Sequence, residues 1–360
     1  MARIQDLDPN FSVQAEFDPE EFEFYNIESA PFVIEGLLRE EKGFCRMPSA
    51  VANQVSQGVS ELNWKTAGGL ARFRSNTKRM VLVTKQHTLT KVPHMPLTGS
   101  CGFDLYAIWD AKEEYEGTFV PPKDIENGYT SYLQLYAHYL SDGRKDETRD
   151  MILRFPLYSG VKEVLIGLEK GSTLEAPTPR TQNTHIVYYG SSITQGACAS
   201  RPGNSYESII DRRLGCTHVN LGFSGNAKGE LIMAEYVNQL PMSLFVYDYD
   251  HNAPDAVHLE KTHEPFFKRV REAHPTLPIV LMSMPKSRLK PKEVLRREVV
   301  ERTYRNARAA GDENVYYIDG TTLMTYCGCD GSVELTHPND WGLASMAKVL
   351  GDLLETILTK

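Results

Sequence analysis

Four short segments carry residue types that together could hydrolyse an ester. Gly190-Ser191-Ser192-Ile193-Thr194-Gln195-Gly196 places two serines among small residues just after an apolar run. A serine hydroxyl is a weak nucleophile at neutral pH and needs both exposure and an adjacent base. Asn220 to Asn226 holds Gly222 and Gly225, which permit a tight turn with an outward backbone N–H. Asn252, in Tyr249 to Pro254, could donate its side-chain amide to a developing oxyanion. The fourth segment, Asp330 to Gly342, contains His337, a candidate general base held by the following Pro338, just before the final helical stretch. Singly, each segment reads as something ordinary: a Gly-Ser turn, a tight turn, a loop cap and a surface histidine. Their succession along one chain makes serine hydrolysis the reading.

Such groups converge only if the intervening elements bring them to one edge. After residue 184, strand-like runs at His185–Tyr189, His218–Leu221, Leu244–Tyr249, Ile279–Met284 and Val315–Ile318 alternate with helical periodicity at Ser205–Leu214, Lys228–Leu240, Leu259–His274, Lys292–Ala310 and Asp340–Leu358. Five such units predict a three-layer α/β/α arrangement around a five-stranded parallel sheet. Ligands of such sheets bind beyond the carboxyl ends of the strands, and all four segments fall in loops there. Asp340 is the expected cap of the last helix.

Before residue 171 the signals are short branched or aromatic runs: Leu70–Arg74, Met80–Thr84, Tyr132–Tyr136 and Val161–Leu168, with one short helix near Pro48–Gln57. They predict an all-β sandwich or jelly-roll. The stretch from Gly171 to Thr184 is rich in Gly, Pro, Ser and Thr and reads as a linker. The expected domains are 1–175, all-β, and 176–360, α/β.

A formal net charge of -8, with no clustered basic tract, argues against a nucleic-acid or anionic-membrane partner. No run of about 18 apolar residues predicts a membrane span. Met1 to Asn10 lacks the apolar centre of a secretory signal, so a cytoplasmic location is expected. Six scattered cysteines are expected to be reduced rather than to form a disulfide framework. Cys327 and Cys329, separated by one glycine, are spaced too closely for a zinc knuckle, and no metal site is expected.

The order of these segments resembles the SGNH/GDSL-like serine hydrolase superfamily, whose catalytic unit is a flavodoxin-like α/β/α fold. The resemblance makes Ser192 the nucleophile, with Ser191 where the family usually has aspartate. It makes the Ser192 and Gly225 backbone N–H groups and the Asn252 amide the oxyanion hole, and His337 the base. The family acid usually lies three residues before the histidine, where this chain has Glu334. Asp330, or a Ser-His dyad aided by a backbone carbonyl, are the alternatives. Gly102-Phe103-Asp104-Leu105-Tyr106 resembles the Gly-x-Asp-Leu-Tyr motif of the branch that carries an N-terminal β domain. That motif is expected to be a structural turn and core plug. Arg201, in an extension that follows the nucleophile, would either bind a polar or anionic substrate group or form an interdomain ion pair.

The resemblance implies no cofactor and a small-molecule ester substrate, with a homo-oligomer compatible. The expected reaction is removal of a short acyl group, acetyl above all, from a carbohydrate or small metabolite through an acyl-serine. The alternatives are a lipid or thioester acylhydrolase, or a catalytically silent carbohydrate-binding scaffold.

Overall fold

The computed structural model describes residues 17–180 and 183–359, so the Met1 to Asn10 stretch read for a secretory signal lies outside the described residues. In chain order, the strands of the N-terminal part are β1 (Phe22–Asn26), β2 (Val33–Glu35), β3 (Leu38–Glu40), β4 (Gly43–Cys45), β5 (Leu70–Ser75), β6 (Arg79–His87), β7 (Phe103–Trp109), β8 (Lys112–Phe119), β9 (Gly128–Gln134), β10 (Arg149–Arg154) and β11 (Gly160–Glu169). They form antiparallel sheets in the orders β1-β11-β6-β9 and β2-β5-β10-β7-β8, with β3 and β4 as a small hairpin. Alternate residues meet between the sheets, as a period of two requires: Ala71 and Phe73 of β5, Met80 and Leu82 of β6, Val164, Ile166 and Leu168 of β11. The expected sandwich is present. Its strand near Tyr132 lies earlier than the sequence indicates, because Gly128 to Gln134 pair with Lys85 to Arg79, and the chain then turns into a 3-10 helix at Tyr136–Tyr139.

Two helices, α1 (Ser49–Val55) and α2 (Gln57–Leu62), replace the single helix expected near Pro48. Ser56 separates them: its backbone is extended, and its hydroxyl accepts from Val59 N–H, capping the second helix. A third, α3 (Leu97–Ser100), precedes β7. Ala52 and Val59 do not serve the sandwich; they pack with Phe223, Ala227 and Met233 of the C-terminal part. The N-terminal part therefore supplies some of the α/β core.

The C-terminal part comprises β12 (His185–Gly190), α4 (Ser192–Gln195), α5 (Tyr206–Leu214), β13 (Thr217–Gly222), α6 (Leu231–Val237), β14 (Leu244–Asp248), α7 (Ala256–Ala273), β15 (Ile279–Met282), α8 (Pro291–Ala309), β16 (Val315–Ile318), α9 (Gly320–Leu323) and α10 (Asp340–Leu358). The five strands are parallel in the order β13-β12-β14-β15-β16. One face is buried under α6, α7 and α8 through Met233, Leu259, Phe266, Val270 and Val300. The other lies under α5 and α10 through Ile210, Leu343, Met346 and Leu350. This is the expected three-layer α/β/α fold. The helix α6 starts later than in the expected Lys228–Leu240, because Gly229 sits at φ +77, outside helical space.

The stretch between the two parts is no free tether. Glu175 and Arg74 of β5 exchange backbone hydrogen bonds of 2.9 and 3.0 Å, and the Thr178 N–H and hydroxyl donate to Asp150 at 2.7 and 2.6 Å. The polar residues that made it look like a linker pin it to the sandwich.

Candidate active site

The turn that carries Ser192 is built by its own small side chains. Ser191 caps α4: its hydroxyl accepts from Ile193 N–H at 3.1 Å, while the Thr194 hydroxyl accepts from Ser191 N–H at 3.1 Å. Serine at this position thus keeps the turn that a family aspartate would occupy. Ser192 becomes the first helical residue, whose N–H has no intrahelical acceptor and is available to an anion. The turn is also crowded from behind: a Cβ on Gly222 would lie 2.3 Å from Gln195 N, so only glycine lets β13 end against it.

Ser192 Oγ lies 2.9 Å from His337 Nε2, and His337 Nδ1 lies 2.6 Å from Glu334 Oε1. Glu334 Oε1 also accepts the His337 backbone N–H at 2.8 Å, so one carboxylate oxygen fixes both the ring and its main chain. Burial alone would raise the Glu334 carboxyl, but the His337 N–H and imidazole outweigh it and hold it below the usual carboxylate range. The loop is pinned by Val333 N–H donating to His337 O and by a Ser332–Pro338 bridge, with Leu335 at φ +65 between them. Asp330 instead offers its backbone carbonyl to Asn339 Nδ2.

The three groups expected to receive an oxyanion are partly engaged with one another. Gly225, at φ +68, donates its N–H to Asn252 Oδ1 at 3.1 Å, and Asn252 Nδ2 donates to Phe223 O at 2.9 Å. An amide nitrogen carries two hydrogens, so Asn252 retains one donor. Gly225 has to leave Asn252 before its N–H can serve an oxyanion.

Several residues brace these loops across the two parts of the chain. Arg201 donates to Asp104 Oδ2 at 2.9 Å and lies 3.9 Å from the centroid of Tyr115, which is the interdomain ion-pair reading of this residue. Asp104, fully buried, also accepts the Gly203 N–H at 2.7 Å and the Thr118 hydroxyl at 2.7 Å. The Gly-x-Asp-Leu-Tyr motif is thus structural, but it acts by gripping the loop beyond Ser192. Buried Arg46 donates to Leu62 O at 2.7 Å and to Asn220 O and Gly222 O, holding the end of β13. Asp340 is not the cap of α10; Asn339 is, accepting from Trp341 and Gly342 N–H. Asp340 accepts the Ser200 N–H at 2.8 Å and Asn204 Nδ2 at 2.9 Å, joining the His337 loop to the Ser192 loop.

Beside Asn252, burial pushes the Asp250 carboxyl up from 3.8 to about 7, against the opposing pull of the Met284 N–H. Between those values the folded state holds a proton that the unfolded state has released, so stability falls as pH rises across that range. At about 1.4 kcal/mol per unit, the loss is a few kcal/mol above the folded value. Asp250→Asn is therefore expected to raise the melting temperature at about pH 8 and to change little near pH 4. Equal shifts at both would refute this assignment.

His94 is the neighbour that sequence reasoning missed. Its ring lies 6.0 Å from that of His337, although it belongs to the loop before α3. No local spacing in Val92-Pro93-His94-Met95-Pro96 signals it. Two clefts open on loops of the site, and neither is lined by Ser192 or His337 themselves. One of about 390 Å³ is lined by Lys286, Arg288, Met324, Glu334 and Leu335, and one of about 450 Å³ by Lys42, Lys65, Tyr158, Ser224 and Asn226.

The model of the GDSL-like Lipase/Acylhydrolase family matches residues 183–355. A second model, GxDLY, described as the N-terminus of Esterase_SGNH_hydro-type, matches residues 22–174. No curated protein matches the chain. Among solved structures, a protein of Bacteroides ovatus ATCC 8483 assigned as a GDSL-like lipase is similar over 94% of this chain and 98% of that one, at 25% identity and a TM-score of 0.83. The salicylyl-acyltransferase SsfX3 of a tetracycline biosynthetic pathway is 20% identical over 94% of this chain and 98% of its own, with a TM-score of 0.76. A family two carbohydrate esterase from Clostridium thermocellum, in complex with cellohexaose, is 16% identical over 91% of this chain and 99% of its own, with a TM-score of 0.61. The last two likenesses concern the fold alone. The chain is an ester-bond hydrolase and belongs to the SGNH/GDSL-like superfamily, in the branch with an N-terminal GxDLY domain.

Proposed function

We propose that the protein removes a short acyl group, acetyl above all, from a carbohydrate or small-metabolite ester through an acyl-serine. The observation that carries the chemistry is the continuous chain Ser192 Oγ, His337, Glu334, at 2.9 and 2.6 Å. In this reading His337 Nε2 takes the Ser192 proton as Oγ attacks the carbonyl carbon, and Glu334 stabilises the resulting imidazolium. The oxyanion is received by the Ser192 N–H, by the Asn252 amide and by Gly225 once its N–H turns from Asn252. His337 then protonates the departing alcohol, and water activated by the same imidazole releases the acid. The same reading divides the chain near residue 175 into a supporting sandwich and a catalytic unit.

Two observations support a polar alcohol. Both clefts carry cationic side chains, Lys286 and Arg288 in one and Lys42 and Lys65 in the other. A carbohydrate esterase also shares the architecture. In a series of p-nitrophenyl esters, kcat/KM is expected to be highest for acetate and to fall steadily with chain length. A maximum at octanoate or longer would overturn the short-acyl reading in favour of a lipid or thioester acylhydrolase.

A further inference from the structure

One ring nitrogen of His94, Sγ of Cys198 and one ring nitrogen of His337 all lie within 4.8 Å of one another. Imidazole and thiolate are the ligands that zinc prefers, and in a tetrahedral site such atoms stand roughly 3.5 Å apart. The gap is closed by a small movement, and His94 is exposed and can supply it. Cys198 is already presented: its backbone is held at φ +64 by the turn that follows the nucleophile, where Ala197 N–H donates to Ser192 O. Cys327 and Cys329 take no part in this cluster.

The arrangement around His337 adds a second reason. A histidine that binds zinc commonly donates its other ring N–H to a carboxylate, which fixes the tautomer and strengthens the free nitrogen as a ligand. Glu334 does this at His337 Nδ1, leaving Nε2, which now faces Ser192 Oγ. The same carboxylate–imidazole pair that activates a serine therefore suits a metal.

We propose that Zn2+ binds reversibly to His94, Cys198 and His337 and switches the hydrolase off by withdrawing the imidazole from Ser192. Binding releases the Cys198 thiol proton to solvent, and the fourth position is left to water or Ser192 Oγ. The site joins the two parts of the chain, since His94 comes from the sandwich side and the other two ligands from the α/β side. The inhibitory consequence rests on the catalytic reading above; the binding site does not.

The test uses the full chain, freed of metal by a chelator. Zn2+ is titrated against p-nitrophenyl acetate hydrolysis by wild type, His94→Ala and Cys198→Ser, with EDTA reversal, and Co2+ is titrated in parallel while the thiolate-to-cobalt absorption is followed. Both variants should hydrolyse the ester normally without metal. The Zn2+ concentration for half-inhibition should rise at least about tenfold in each, since losing a ligand costs no less than losing an outer-shell partner. The cobalt absorption should appear in wild type and vanish in Cys198→Ser. Equal inhibition of all three proteins, cobalt absorption without inhibition, or no thiolate absorption in wild type would each overturn the proposal. If the protein hydrolyses no ester at all, the catalytic reading fails and the cobalt spectra still decide the site.

Discussion

Ser192→Ala and His337→Ala are each expected to lower kcat for p-nitrophenyl acetate by about 10⁵-fold or more, and the double variant by no more than either alone. The reason is that hydroxyl and imidazole act as one unit across their 2.9 Å contact: without the base the hydroxyl keeps its proton, and without the hydroxyl the base has no nucleophile to activate. What activity survives would come from oxyanion stabilisation and binding. Labelling by a fluorophosphonate probe gives an independent reading, expected for wild type and lost in Ser192→Ala. Additive losses in the double variant, or labelling that persists without Ser192, would place the nucleophile elsewhere.

The second large effect separates the two carboxylates. Glu334→Gln keeps the size of the side chain but replaces an acceptor-only carboxylate with an amide that cannot balance an imidazolium and can favour the wrong tautomer. The expected loss in kcat is about 10³-fold, below the 10⁴ typical of a buried triad acid, because the Glu334 side chain is 41% exposed and water can partly replace it. Asp330→Asn should change kcat by less than about twofold, because that residue touches the His337 loop through its backbone carbonyl. A reversed order, or equal losses, would return the acid role to Asp330 or to a dyad.

Much of the fold was legible because hydrophobic period survives in a single sequence. All five parallel strands and the last helix fall where alternating apolar runs place them, α10 to the residue. The errors lie where a local signal competes with a longer-range one. Ser56 splits one expected helix into two by capping the second, Gly229 delays the start of α6, and the ladder to β6 draws β9 away from Tyr136. Asp340 looked like a cap because Asp is a good one, yet Asn339 took that place and left Asp340 to reach across to Ser200.

The sequence by itself determined which residues could be brought together: Ser192, Gly225, Asn252, Glu334 and His337 each end or follow a strand of one parallel sheet, and the pattern of strands already sends their loops to a common edge. Only the tertiary structure decided which contacts close. The contact of His337 with Glu334 rather than Asp330, the bond from Gly225 to Asn252, the clasp of Asp104 on Arg201 and Gly203, and the approach of His94 to His337 all depend on where side chains arrive. Periodicity reports which face of an element is apolar, through nearest neighbours along the chain. A meeting between residues 94 and 337, or 104 and 201, is set by how separate elements pack, and leaves no mark in either segment alone.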